Sequence, residues 1–258
     1  RRAQGGGGES KPARSPKGSP AAKLRRLERE LADLERQIAE RRDSITAQFD
    51  AVLGILERWG HVDGWALTDA GERTVRIYHE LDLLVAEAIG RGLFDDLSVA
   101  DTAGLASLFV YEHRSKEEPP EPWYSSSGVA DRAAQIIRMA GELNREERRA
   151  HLTMSREPDP TMFAVVHAWA AGLDLVDVLD DELLTGGDFV RTAKQLIDLL
   201  RQIGDAAPSP DTRHQARAAA DAVARGVVVS TAEDLDEALE HDQLRQETDA
   251  EPDERGSA

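Results

Sequence analysis

The clearest periodicity along the chain opens at Leu24, where Leu27, Leu31, Leu34 and Ile38 follow at alternating spacings of three and four with Glu and Arg between them. That a/d stripe, free of Gly and Pro from Ala21 to Val52, predicts one long helix or two abutting ones. A stripe so narrow suits a coiled-coil arm that needs a partner strand. An amphipathic helix lying on its own domain is the alternative. Phe49, Val52, Leu53, Ile55, Leu56 and Trp59 then share a helix closed by Gly60. His61-Val62-Asp63-Gly64-Trp65-Ala66-Leu67 reads as two very short strands around an Asp-Gly turn. Thr68 or Asp69 caps a further helix, expected to run to about Gly90. Helix, small hairpin and helix make a winged-helix pattern, with a plain helix-loop-helix as the alternative.

The remainder is helical and punctuated by start signals. Ser98-x-x-Asp101 opens a helix through Tyr111, and Asp159-Pro160 predicts a cap followed by Pro at the first helical position, opening Phe163 to Ala170 with Gly172 as its stop. Between them Glu117 to Ser127 (EEPPEPWYSSS) must be a surface loop. Ala130 to Leu143, Gly187 to Ile203 and Thr212 to Ala224 complete a bundle of about six helices. The fold class is therefore all-α: a coiled-coil arm, a winged-helix remnant with a minimal hairpin, a helical bundle and disordered termini.

Composition sharpens the ends. Residues 1–20, with a four-Gly run, Pro, Ser and scattered Lys and Arg, carry too little apolar surface to offset the entropy of ordering and are expected to be a disordered linker. Residues 231–258 hold eleven acidic residues against two Arg, so much of the overall charge of −17 sits in an acidic tail. That balance excludes a sequence-indifferent nucleic-acid coat and confines any nucleic-acid contact to a local patch. With no Cys there are no disulfides, thiolate metal sites or cysteine nucleophile. Without a membrane-length apolar run or hydrophobic signal core, a cytoplasmic protein with no membrane partner is expected. The chain opens on Arg1 instead of Met, which leads us to expect a segment of something longer.

No catalytic constellation appears. The Gly5–Gly8 run is followed by Glu-Ser-Lys, not by a phosphate-loop Lys-Ser/Thr, and there is no GxSxG, HExxH, GxGxxG or EF-hand loop. The seven His are dispersed without an i, i+4 pair. Asp177, Asp180, Asp181 and Glu182 read as a solvated helix end. One helix looks functional. Thr185-Gly186-Gly187-Asp188 has capping-box form and launches a helix to about Asp205. At 100° per residue, Phe189, Ala193, Leu196, Ile197, Leu200 and Ile203 gather on one side and Arg191, Lys194, Gln195, Asp198 and Gln202 on the other. A stripe mixing guanidinium, ammonium, amide and carboxylate suits phosphates and bases of a strand passing across it; a merely wet helix face is the alternative.

Several phrases together resemble one family. Phe49-Asp50-x-Val52-x-x-Ile55-Leu56, Leu67-Thr68-x-x-Gly71-Glu72-Arg73, Glu80-Leu81-Asp82-Leu83-Leu84-Val85-Ala86-Glu87 and Gly92-Leu93-Phe94-x-x-Leu97 are similar to the C-terminal region of the HelY-like bacterial branch of DExH-box helicases, relatives of the superkiller and exosome-helper RNA helicases. So are Phe109-Val110-Tyr111-Glu112, Arg156-Glu157-Pro158-Asp159, Trp169-Ala170-x-Gly172, Gly187-Asp188-Phe189-Val190-Arg191, Lys194-Gln195-Leu196-Ile197-Asp198-Leu199-Leu200-x-Gln202-Ile203 and Arg225-Gly226-Val227-Val228. The likeness spans about residues 22–230. It implies a stalk arm over 21–45, a winged-helix end and connecting helix over 46–97, and a helical DSHCT domain over 98–230.

The resemblance further implies a bundle that closes over two upstream ATPase domains and guides a translocating single strand of RNA (or DNA). Arg191, Lys194, Gln195 and Asp198 would occupy its strand-facing positions. ATP and Mg²⁺ would belong to the parent motor, since the ATPase motifs are absent from this chain and it should be inactive alone; RNA-degradation machinery is an implied partner. His167 stands where an aromatic residue is expected. Two rival readings are a stand-alone winged-helix regulator dimerising through Leu24 to Ile38, and an interaction module working through the acidic tail.

Overall fold

The computed structural model describes residues 20–114, 118–179 and 185–228, and within helices it leaves the side chains of residues 21, 22, 38–43 and 227 undescribed. The expected linker (but for Pro20) and the acidic tail lie outside the described residues, as do Asp180, Asp181 and Glu182. The chain divides into two units, residues 1–51 and 52–258. In the first, the described part belongs to α1 (Pro20–Arg58), one continuous helix as the Gly- and Pro-free run predicts. Leu24, Leu27, Leu31 and Leu34 are each more than half exposed along it, so the seam is uncovered among the described residues.

The second unit begins with the last turns of α1, whose Ile55 is buried. Gly60, in the left-handed region at φ 75°, turns the chain into a hairpin of β1 (Val62–Asp63) and β2 (Ala66–Leu67), antiparallel with Val62 opposite Leu67. Thr68 caps α2 (Asp69–Thr74): its Oγ1 accepts from the Gly71 N–H at 3.2 Å and donates to the Gly60 carbonyl at 2.6 Å. Gly71 is obligatory for a different reason, because a Cβ there would press against the His61 carbonyl oxygen. The phrase Leu67-Thr68-x-x-Gly71 thus encodes one close approach of helix to hairpin. His61, 1% exposed, holds it from the other side through Nδ1 to the Thr74 hydroxyl (2.7 Å) and Nε2 to Glu87 (3.0 Å).

The helix expected from Thr68 to Gly90 is two helices, α2 and α3 (Asp82–Gly90). The Tyr78 N–H, which a continuing helix would give to the Thr74 carbonyl, goes instead to the Gln202 side chain, while the Thr74 carbonyl receives the Ile77 N–H. Ile77 thereby drops into the core at 3% exposure. The patterns 3.6 residues apart on either side of the break cannot reveal it.

Beyond it lie α4 (Val99–Val110), α5 (Ser127–Arg149), α6 (Phe163–Ala170), the short α7 (Leu175–Val178), α8 (Gly186–Ala206) and α9 (Pro210–Val223), then a 3-10 turn at Gly226–Val228. The only sheet among the described residues is the hairpin, so the class is all-α. No described helix is long and apolar enough to cross a membrane. α4 is central, packing against α5, α6, α8 and α9, and every residue from Thr102 to Phe109 is buried. Gly104 lets α6 approach: a Cβ there would lie 2.8 Å from the Phe163 ring. At the far end Arg225 stacks on Trp169, 3.5 Å from the ring centroid, and donates to the Trp169 carbonyl at 2.7 Å, fastening the Arg225-Gly226 segment to α6.

One detail differs from expectation and another agrees with it. Asp159 does not cap α6, which starts at Phe163 without a side-chain cap; its carboxylate accepts from Thr161 N–H (2.8 Å) and His113 N–H (2.6 Å), joining two loops. His167 occupies an aromatic niche after all, stacked on Phe163 (5.9 Å) with Trp123 edge-on (5.4 Å) and Asp101 3.4 Å from Nε2.

Gly71→Ala is expected to destabilise the chain by about 3 kcal/mol, the upper end for overpacking a rigid contact. Gly141→Ala, in the open interior of α5, should stabilise it by about 1 kcal/mol. Urea unfolding of both variants beside the parent checks the contrast.

Candidate nucleic-acid interface

α8 carries the polar stripe. Its cap is as the sequence predicts: Thr185 Oγ1 accepts from the Asp188 N–H at 3.2 Å. Phe189, Ala193, Leu196, Ile197, Leu200 and Ile203 are buried, while Arg191, Lys194, Gln195 and Asp198 are all exposed on the opposite face. Arg191 is steadied by Asp188 one turn earlier, at 2.7 Å. Gln202 is partly covered because its Oε1 accepts the Tyr78 N–H at 2.6 Å.

Four of these five residues line one of two adjoining clefts. The first, about 470 Å³, includes Asp188, Arg191, Gln195, Tyr111, His113 and Arg156; the second, about 410 Å³, includes Gln195, Asp198, Gln202, Tyr78 and His79. Glu80, Val110 and Gln195 line both, so the clefts form one groove along α8. Lys194 lines neither cleft.

The opposite wall comes from three other segments, Tyr78–Glu80, Val110–Arg114 and Arg156, and the helical stripe gave no sign of it. Arg156 builds it. Its guanidinium donates to the carbonyl of Phe109 and, at 3.1 Å, to that of Tyr111, both at the end of α4, and it pairs with Glu80. Glu80 is held below the usual carboxylate range by this hydrogen bond from Arg156. Beside it the His79 imidazole is pushed down by burial and by the Arg156 charge, and its Nδ1 accepts the Leu81 N–H at 3.1 Å. Burial raises Tyr111, helped by the carboxylates of Asp159 and Asp188. The sequence signal for this wall was the phrase Arg156-Glu157-Pro158-Asp159, which the resemblance carried without showing what it touches.

A second polar cleft, about 390 Å³, lies where α1, α3 and α5 end, with Arg58, Trp59 and Glu146 among its residues. Arg58, the one cation between Phe49 and Trp59, pairs with Glu146 at 2.7 Å. No cluster of three or more His, Asp or Glu that could hold a metal ion occurs among the described residues.

A family model described as the DSHCT (NUC185) domain matches residues 64–231. The chain is 37% identical over 223 residues to "Probable helicase HelY" of Mycobacterium leprae, covering 81% of this chain and 24% of that protein. It is 35% identical over 222 residues to "Probable helicase HelY" of Mycobacterium tuberculosis (strain ATCC 25618 / H37Rv), with the same coverage. It is 28% identical over 198 residues to "ATP-dependent RNA helicase mtr4" of Schizosaccharomyces pombe, covering 72% of this chain and 17% of that protein. The chain thus spans about a quarter of the length of the HelY relatives and less of the other.

Arg156→Lys should cost about 2 kcal/mol in urea unfolding, since one ammonium cannot answer two diverging carbonyls and a carboxylate in the guanidinium's geometry. His79 gives a pH signature. Its folded pKa lies below the unfolded value, so its contribution is complete above about pH 6.5 and is lost as pH falls from there through the folded pKa. Melting temperatures compared at neutral and mildly acidic pH should fall less for His79→Gln than for the parent chain.

Proposed function

The chain belongs to the DSHCT (NUC185) domain family, a helicase-associated domain, and from that premise we propose that it is the C-terminal, non-catalytic part of an ATP-dependent, RNA-directed DExH-box helicase. Its bundle guides the translocating single strand and closes the motor. α8 is the strand-contacting helix, with Arg191 and Lys194 taking phosphates and Gln195 and Asp198 meeting bases or sugars. The observation that carries this reading is the groove: all four residues stand exposed on one face of α8, and three of them line a continuous polar channel with no catalytic constellation along it.

ATP and Mg²⁺ act in the upstream ATPase domains of the same protein, which with single-stranded RNA (or DNA) are its partners; RNA-degradation machinery in the cytoplasm is the wider setting. The uncovered seam from Leu24 to Leu34 supports a stalk arm over 21–45, whose matching strand lies elsewhere in the parent protein. The hairpin between α1 and α2 supports the end of a winged helix within 46–97, followed by the bundle over 98–230.

In the whole helicase, Arg191→Glu should slow unwinding about tenfold, the scale of one charge-assisted contact reversed, while leaving nucleic-acid-independent ATPase near the parent level. Parallel unwinding and ATPase assays decide it. Equal loss of both activities would remove α8 from the strand path.

A further inference from the structure

Tyr78 is the one aromatic side chain on this groove that the fold does not need for packing. Its neighbour Ile77 is 3% exposed, whereas Tyr78 is 82% exposed. Among the described residues no ring packs against it, and no hydrogen bond holds its hydroxyl. Its backbone, by contrast, is firmly placed. The Tyr78 N–H donates to Gln202 Oε1 at 2.6 Å, the Arg76 guanidinium donates to the Asp205 carbonyl at 3.3 Å, and the Ile77 N–H closes a turn onto Thr74 at 2.9 Å. The loop is therefore tied at two points to α8 itself. A large planar ring stands on a fixed pedestal at the edge of the cleft that Gln195, Asp198 and Gln202 line.

The groove also changes character along its length. Arg191 marks one end, whereas the end beside Tyr78 offers the amides of Gln195 and Gln202 and the carboxylates of Asp198 and Glu80, groups that bond base edges and do not attract phosphate. About 16 Å of helix separates Arg191 from Gln202, at 1.5 Å per residue. We propose that Tyr78 is a base-stacking platform: one nucleobase of a single strand crossing α8 lies on its ring, with its polar edge toward Asp198 and Gln202. Stacking accepts any base, because each has a π-face, so this contact fits a domain that must let successive nucleotides pass. The inference rests on the strand-guiding reading of α8 and adds to it a residue outside the helix.

The test titrates the whole 258-residue chain with a short single-stranded oligo(A) RNA, at up to millimolar concentration, and with the same RNA carrying abasic positions. Tyr78→Ala should weaken binding of intact RNA about tenfold while leaving its salt dependence unchanged. Tyr78→Phe and Tyr78→Trp should bind as the parent does. The parent chain should bind abasic RNA as weakly as Tyr78→Ala binds intact RNA. Arg191→Glu, by contrast, should lower both affinity and salt dependence. Equal affinity of the parent for intact and abasic RNA, or an unimpaired Tyr78→Ala beside an impaired Arg191→Glu, overturns the platform and leaves the strand-guiding reading standing. A parent chain that binds no RNA, or both variants binding as it does, overturns the two together.

Discussion

A helix buried on every side cannot leave the carbonyls of its last turn to water, and α4 is such a helix. Much of its end is answered by one distant segment: the Asp159 N–H donates to the Leu108 carbonyl at 2.9 Å, and Arg156 donates to the carbonyls of Phe109 and Tyr111. Leaving such groups unpaired would cost about 1–3 kcal/mol each. The Arg156 guanidinium also reaches Glu80, so the same contact that completes α4 draws the segment before α3 onto the far side of α8. Arg156, which satisfies the end of the central helix, is thereby also the anchor of the groove's wall.

Electrostatically the groove is a balanced surface. Arg191 is paired with Asp188, Arg156 with Glu80 and Arg114 with Glu112, so the cations are oriented by carboxylates one short step away. The displaced pKa values there trace to burial and to these pairs: Glu80 down through Arg156, His79 down through burial and the same guanidinium, Tyr111 up through burial. Pairing of this kind fixes side-chain geometry at the expense of raw potential.

Much of the molecule was legible in one dimension. The capping residues Ser98 and Thr185 sit where the sequence places them, and Thr68 is one of the two it offers for its helix, because a cap is a contact across three residues. The buried and exposed faces of α8 were equally readable, since both follow from 3.6-residue periodicity. The break at Val75 to Leu81 was not, because what stops the helix is a side chain on α8, 124 residues away, taking the Tyr78 N–H. Asp159 misled for a similar reason: a cap and a loop clamp use the same carboxylate, and only the position of His113 distinguishes them.

By itself, then, the sequence determined that the chain is helical, where most helices begin, which face of α8 is wet, that Arg191, Lys194, Gln195 and Asp198 share that face, and which family the motifs resemble. These are local or periodic properties. The tertiary structure alone decided that the face is the floor of a groove, that Arg156 and Glu80 form its wall, and that Tyr78 stands at its edge. Each of those depends on hydrogen bonds between segments distant in sequence, and no spacing along the chain encodes which distant carbonyl a guanidinium will find.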